Sequence, residues 1–409
     1  MGIRASQAGL GLIDQVRFSK GFTNKYGEDW ARLAFTTPST LKRFWQRKAI
    51  QPSAFMAICR AVDCDWHDVA TASSFLADPA YVRRPPIETE CHAALRCSKA
   101  LIRIKAPMRM GKTSLISELV GCGQRLGYVT IRLNMLRLDE SDIKQPERVV
   151  KWFCRNIHRY LYCQQKDCTD SIDGLWDSAY GSNDNCTIYF EQHVLDRANT
   201  PIVLAIDNLD RIFPYDASAI DFLGLLRSWH EDDSAPWRKL RMVLAHSTDL
   251  YPALDVEHSP FNVGKAVKLS EFTHEQVQEL LTYYHVDWTL AEIAQLTDLV
   301  GGYPELVAIA ISHQKFNPTL SIQNLIKIAP TANGPYRSYL QSLYQKLNQK
   351  TALLSVMKTL VETEIPISIS GKAAFYLDSL GLVHLQGEQA IIRNTLYRRY
   401  FGQRLANLP

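Results

Sequence analysis

Two short runs of the sequence carry the residue types that handle phosphate. The run from Ala106 through Pro107, Met108, Arg109 and Met110 ends in Gly111, Lys112 and Thr113. A glycine-hinged loop can turn its backbone N–H groups toward an anion. A lysine can reach the outer phosphates, and a threonine hydroxyl can sit on Mg²⁺. The usual pattern has glycine first; here Ala106 stands there, followed by Pro107. Ninety residues on, the apolar run IVLAI closes on Asp207, Asn208, Leu209 and Asp210. Asp207 is the carboxylate expected to hold the metal opposite Thr113. An amide such as Asn208 cannot accept a proton as a carboxylate does, so hydrolysis is expected to be slow unless Asp210 substitutes. Ser247 or Thr248, after another apolar run, is placed to meet the terminal phosphate or the attacking water.

Such residues meet only if a parallel sheet brings them to one edge. Leu101, Ile102 and Ile104 form a strand that enters the loop, and a helix through Leu119 leaves it. Further strands are expected over 128–133, 201–206, 242–245 and 266–269, with a mostly helical insert over 147–197 carrying Trp152, Phe153, Ile157, Leu161 and Trp176. Strands alternating with helices imply an α/β fold whose parallel sheet is covered on both faces.

The bulk numbers narrow the surroundings. At 409 residues the chain exceeds one ordinary core, and its 46% hydrophobic and 22% charged content is that of a globular protein. A net charge of +4 supplies no global basic field, so any nucleic-acid site must be local. No apolar run reaches spanning length, and no signal-peptide core opens the chain, which excludes a membrane partner in this reading. Nine cysteines without a CxxC pair point to reduced thiols in the cytosol. His158, Cys163, Cys168 and Cys186 form a loose cluster with no zinc spacing.

Residues 1–76 are expected to be helical and self-contained. Leu10, Leu12, Ile13 and Val16 give a first helix, and a second covers about 28–35. Thr37-Pro38 opens a third, basic helix running to Ala49 with Leu41, Phe44 and Trp45 on one face, and Pro52 opens a fourth with Phe55, Ile58, Cys59 and Val62 inward. The STLKRFW run resembles the repressor-type helix-turn-helix found ahead of bacterial NTPase modules. That resemblance puts Ala31, Phe35 and Leu41 on the turn-fixing positions, with Phe35 where glycine is usual. It implies that Ser39, Thr40, Arg43 and Arg47 face double-stranded DNA; a helical protein adaptor is the rival reading.

Toward the C-terminus, helices over 272–285 and 288–316 form a lid, followed by helices over 335–349, 353–360 and 371–380. GLVHLQGEQAIIRN then reads as a hairpin around Gly387, the wing of a winged helix. APMRMGKTSL, LAIDNLDRIF, AHSTDLYPALDVEHSPFNVG, LSEFTHEQVQELL and LVGGYPELVAIAI, in this order, resemble the bacterial AAA-like domain family, related to the STAND signalling ATPases and the Cdc6/Orc-like ATPases. The resemblance covers about residues 80–400. It implies an ATP and Mg²⁺ site lined by Tyr81 and Val82 near the adenine, Arg83 or Arg84 near the ribose or phosphates, the loop residues Pro107, Arg109, Met110, Gly111, Lys112, Thr113 and Ser114, and Pro304 against the base. The family commonly has glutamate where Asn208 stands.

The expected architecture is therefore a helix-turn-helix-like domain (1–76), an AAA-like P-loop core (77–270), a helical lid (271–334) and a winged helix (335–409). The expected function is an ATP-binding switch of the STAND or AAA-like type, coupling nucleotide state to DNA or to a protein partner, with homo-oligomers open to it. The alternatives are an active ATPase that assembles on or remodels DNA, with Arg238 or Arg241 as an arginine finger for a neighbouring subunit, and an ATP-bound scaffold without DNA contact. STAND regulators carry a repeat sensor after the winged helix, and none is seen before Pro409.

Overall fold

The computed structural model describes residues 4–64, 66–69, 81–162, 172–247 and 262–406. The chain gathers into two compact units, one of residues 83–270 and 370–381, the other of residues 1–82, 271–369 and 382–409.

The first unit is built on a five-stranded parallel sheet. Its strands are β1 (Leu101–Lys105), β2 (Val129–Asn134), β3 (Ile202–Asp207), β4 (Leu240–His246) and β5 (Lys265–Lys268), in the order β2-β3-β4-β1-β5. Helices cover both faces, so the central strands must be apolar on both sides. β3 and β4 are accordingly buried at every residue. The register aligns Lys105 with His246 and Asn134 with Asp207, so the carboxyl ends of four strands share one edge. In open α/β sheets, ligands bind at that edge.

The helix after β1, Lys112–Arg125, lies close on the sheet because Gly123 has no side chain: a Cβ there would come within 3.0 Å of Val203. The insert forms helix Pro146–Tyr162 and helix Ser182–Tyr189, the latter continuing as a π-helical turn, Phe190–Leu195. Phe153 stacks on Phe190 at 5.7 Å, and Phe190, Trp229 and Trp237 continue the stack at 4.3 and 5.0 Å. Phe153 and Ile157 are fully buried, whereas Trp152, Leu161 and Trp176 pack only at the margin of this core.

The second unit contains the N-terminal helices Gln7–Ser19, Glu28–Leu33, Pro38–Trp45 and Pro52–Arg60. Ile13, Trp30, Leu41, Phe44, Phe55, Ile58, Cys59 and Val62 form their core. Three expectations need correction. Leu12 is exposed, because the buried face of the first helix runs through Leu10 and Ile13. The basic helix stops at Trp45, since Arg47 takes a left-handed conformation (φ 56°) and lets Lys48 N–H bond back to Arg43. The N-terminal helices are also not self-contained, as Phe316 of helix Pro304–Phe316 packs on their core, 5.1 Å from Trp66.

Helices His274–Tyr284 and Leu290–Val300 each open with a capping box, Thr273 with Gln276 and Thr289 with Glu292, which fixes where they start. Strands β6 (Ile367–Ser368), β7 (Val383–Gln386) and β8 (Gln389–Ile392) make an antiparallel sheet in the order β6-β8-β7. The β7–β8 turn uses Gly387 at φ 62°, where a side chain would be strained. Arg393, just after β8, pairs with Glu271 at 3.1 Å. Helix Gly371–Ser379, although close in sequence to these strands, belongs to the first unit. No helix among the described residues is long and apolar enough to cross a membrane.

Candidate functional site

The loop of residues 106–111 leaves β1 at the shared strand edge and turns through two left-handed residues, Arg109 (φ 63°) and Gly111 (φ 95°), before helix Lys112–Arg125 begins. A Cβ on Gly111 would lie 2.5 Å from Nη2 of Arg84, so both backbone and neighbour require glycine. Lys112 is buried, and its ammonium donates to the carbonyls of Ala106 (2.7 Å) and Pro107 (2.8 Å), inside the curl of its own loop. Burial pushes its pKa down to about 8, against the pull of the Asp210 and Asp207 carboxylates.

Thr113 follows, and its hydroxyl donates to Oδ2 of Asp207 at 2.8 Å across the strand edge. Asp207 is buried at the end of β3, and its Oδ1 accepts from the Asn208 N–H at 3.0 Å. Nη2 of Arg132, on the adjacent β2, stands 3.7 Å from Oδ2 of Asp207. Asn208 is left-handed (φ 57°), which asparagine tolerates better than most residues, and its amide donates to Oδ1 of Asn134 at 3.0 Å. Asp210 accepts from the Ser247 N–H at 3.1 Å, tying the turn after β3 to the end of β4.

Two further groups close over the loop. Arg84, buried, donates from Nη1 to the carbonyls of Met110 (2.9 Å) and Ser270 (3.1 Å), and its own N–H is held by Glu88 at 2.8 Å. The Met108 N–H donates to the carbonyl of Ser379 at 2.8 Å, so the last turn of helix Gly371–Ser379 sits on the loop.

A sequence model described as AAA-like domain matches residues 69–403, most of the chain. The chain belongs to the AAA-like domain family. No curated protein matches it in sequence. Among solved structures it is similar to the Walker-type ATPase PABY2304 of Pyrococcus abyssi, with 12% identity, a TM-score of 0.55, and coverage of 78% of this chain and 96% of that one. It is also similar to the ORC2 protein of Aeropyrum pernix, solved as ADPNP–ADP complexes, with 13% identity, a TM-score of 0.49, and coverage of 81% and 96%. At 12% identity the likeness to the P. abyssi protein is one of fold alone.

Within the AAA-like fold, the first unit brings together Arg84, Pro107, Arg109, Met110, Gly111, Lys112, Thr113, Ser114, Asp207, Asn208, Asp210 and Ser247. Thr248 lies outside the described residues. Tyr81, Val82 and Pro304 belong to the second unit, where Val82 is buried and Pro304 opens its helix after the left-handed Gly301 and Gly302. Arg238 and Arg241, the candidates for an arginine finger offered to a neighbouring subunit, are held by local contacts. Arg238 lies in the turn before β4 and Arg241 is its second residue, at the strand end away from the loop; Arg241 donates to the carbonyls of Arg238 and Lys239 (2.8 Å each), Arg238 to that of Asp233 (3.0 Å).

On the basic helix, the Ser39 and Thr40 hydroxyls lie 2.8 and 3.0 Å from the capping hydroxyl of Thr37. Arg43 donates to the carbonyl of Ala49 at 3.0 Å, and Arg47, beyond the helix, reaches Ala5 and Gln7. In the loose cluster, Cys186 packs 3.0 Å from Cys154 and Nδ1 of His158 lies 3.1 Å from the Tyr189 hydroxyl; Cys163 and Cys168 lie outside the described residues. Among the described residues no three His, Cys, Asp or Glu are grouped to hold a metal.

Sequence reasoning missed Arg132, Asn134 and Ser379. The first two needed the β2–β3 pairing, which the strand pattern alone does not give. For Ser379 no sequence signal exists, because a main-chain carbonyl makes the contact.

Proposed function

We propose that this AAA-like chain is an ATP-binding switch, in the manner of STAND ATPases, whose nucleotide state controls what the rest of the chain presents to DNA or to a protein partner. The observation that carries the reading is the Met108–Ser379 hydrogen bond, which sets a C-terminal helix on the loop that would receive the phosphates. The fit of ATP and Mg²⁺ rests on the glycine-dependent curl at Gly111, the buried Lys112 within it, and the two oxygen donors of Thr113 and Asp207 held 2.8 Å apart. Hydroxyl and carboxylate oxygens are the hard donors Mg²⁺ takes. Bound there, the metal would neutralise phosphate charge. That the P. abyssi structure is described as a Walker-type ATPase supports the same reading.

To meet a phosphate, Lys112 would give up the Ala106 and Pro107 carbonyls and the Met108 N–H would leave Ser379, which would loosen helix Gly371–Ser379. Asn208 positions water without deprotonating it, so the switch turns over slowly. Ser39, Thr40 and Arg43 of helix Pro38–Trp45, with Arg47 just beyond it, are the surface for duplex DNA. Hydrogen exchange of the full chain with and without MgATP tests the central step. Faster exchange over 370–381 on binding supports the switch; unchanged exchange there despite bound ATP contradicts it.

A further inference from the structure

Asp207 is a buried carboxylate, and such a charge requires compensation. The chain supplies it from the side. Nη2 of Arg132 lies 3.7 Å from Oδ2, the same oxygen that accepts the Thr113 hydroxyl. The guanidinium is aimed there by its other arm, for Nη1 donates to the Ser117 hydroxyl (2.9 Å), which itself donates to the Thr113 carbonyl (2.9 Å). Arg132, Ser117, Thr113 and Asp207 therefore form a closed chain around the proposed metal position. The side chain of Arg132 is 36% exposed, so its long stem can swing the charge into water at little cost.

A divalent cation and a guanidinium cannot both occupy the side of one carboxylate oxygen without repulsion. One must yield, and the partly exposed arginine is the one free to move. Where no divalent ion is present, the guanidinium stays and screens the Asp207 charge from the phosphates. Resting on the nucleotide site argued above, we propose that Arg132 is a specificity-determining residue, a resident cation that lets the site hold a nucleoside triphosphate with little dependence on divalent metal.

Calorimetric titration of ATP into the full chain, in Mg²⁺ and in EDTA, tests this with the wild type, Arg132→Gln and Arg132→Lys. Melting curves of each variant check the fold. For the wild type, Kd in EDTA is expected to rise by no more than about tenfold over Kd in Mg²⁺. For Arg132→Gln the ratio should reach about a hundredfold, since a lost contact to a charged group typically costs tenfold or more. Arg132→Lys, which keeps the charge, should fall between. Equal ratios in all three proteins would overturn the role of Arg132 and leave the nucleotide site standing. No binding by the wild type in Mg²⁺ would overturn both.

Discussion

The strand edge of the first unit and the basic helix of the second use the same backbone device for different ends. At the strand edge the left-handed positions shape a cavity: Gly111 admits no side chain beside Arg84, and the charges of Lys112 and Asp207 are buried against each other's neighbourhood. Around the basic helix the left-handed positions merely end helices. Phe35, Arg47 and Asp63 each take φ between 47° and 56° one or two residues past a helix cap, where the following N–H bonds back to Ala31, Arg43 and Cys59. There the charged side chains stay at the surface and are partly consumed by local carbonyls. Buried charge marks the strand edge where phosphate chemistry is proposed, whereas the helical region carries left-handed residues that glycine would replace more cheaply.

The comparison breaks first at Lys112. Lys112→Ala should weaken ATP binding by about a hundredfold or more, as removal of a charge-assisted contact does in a buried site, while the fold survives. Titration calorimetry measures it; a tenfold or smaller loss would place the phosphates elsewhere. Gly111→Ala comes next. It sets a methyl 2.5 Å from Arg84 at φ 95°, so a drop of about 1–3 kcal/mol in stability, read by denaturant unfolding, should accompany lost affinity.

The pH dependence follows in size. The Lys112 ammonium, free near 8, is held charged by phosphate, so binding takes up a proton above that pH. Affinity should be flat below pH 8 and weaken by up to about tenfold per unit above it. A flat profile to pH 9.5 would show that Lys112 stays charged in the free protein.

In the helical region the signs reverse. Phe35 is 95% exposed, so Phe35→Gly loses no packing and relieves a left-handed aromatic residue, stabilising the chain by about 0.5–1 kcal/mol. Destabilisation would mean that Phe35 covers something in solution. The smallest stability effect belongs to Arg43→Ala/Arg47→Ala, within about 0.5 kcal/mol. If these residues meet duplex phosphates, the pair should lower the salt slope of DNA binding by about 2; an unchanged slope removes them from the DNA surface.

What the sequence disclosed follows the same division. The central strands and the Gly111–Thr113 loop are legible, because strands buried on both faces, such as β3, read as continuous apolar runs and a phosphate loop needs its glycine, lysine and hydroxyl in succession. Asp207 was legible for the same reason, as a carboxylate closing such a run. Arg132 and Asn134 were not, since they act across a strand pair whose register the pattern does not encode. The attachment of helix Gly371–Ser379 to Met108 was illegible for a further reason: it spans some 270 residues of chain and uses only main-chain atoms. The length of the basic helix was overestimated because Arg47 and Lys48 favour helix as much as they favour its end.

The most direct test of the central claim is a calorimetric titration of ATP with Mg²⁺ into the intact wild-type chain, beside Lys112→Ala. A single saturable heat of about one nucleotide per chain, absent in Lys112→Ala, is the expected result. No heat from the wild type at millimolar ATP, or equal heats from both proteins, would contradict it.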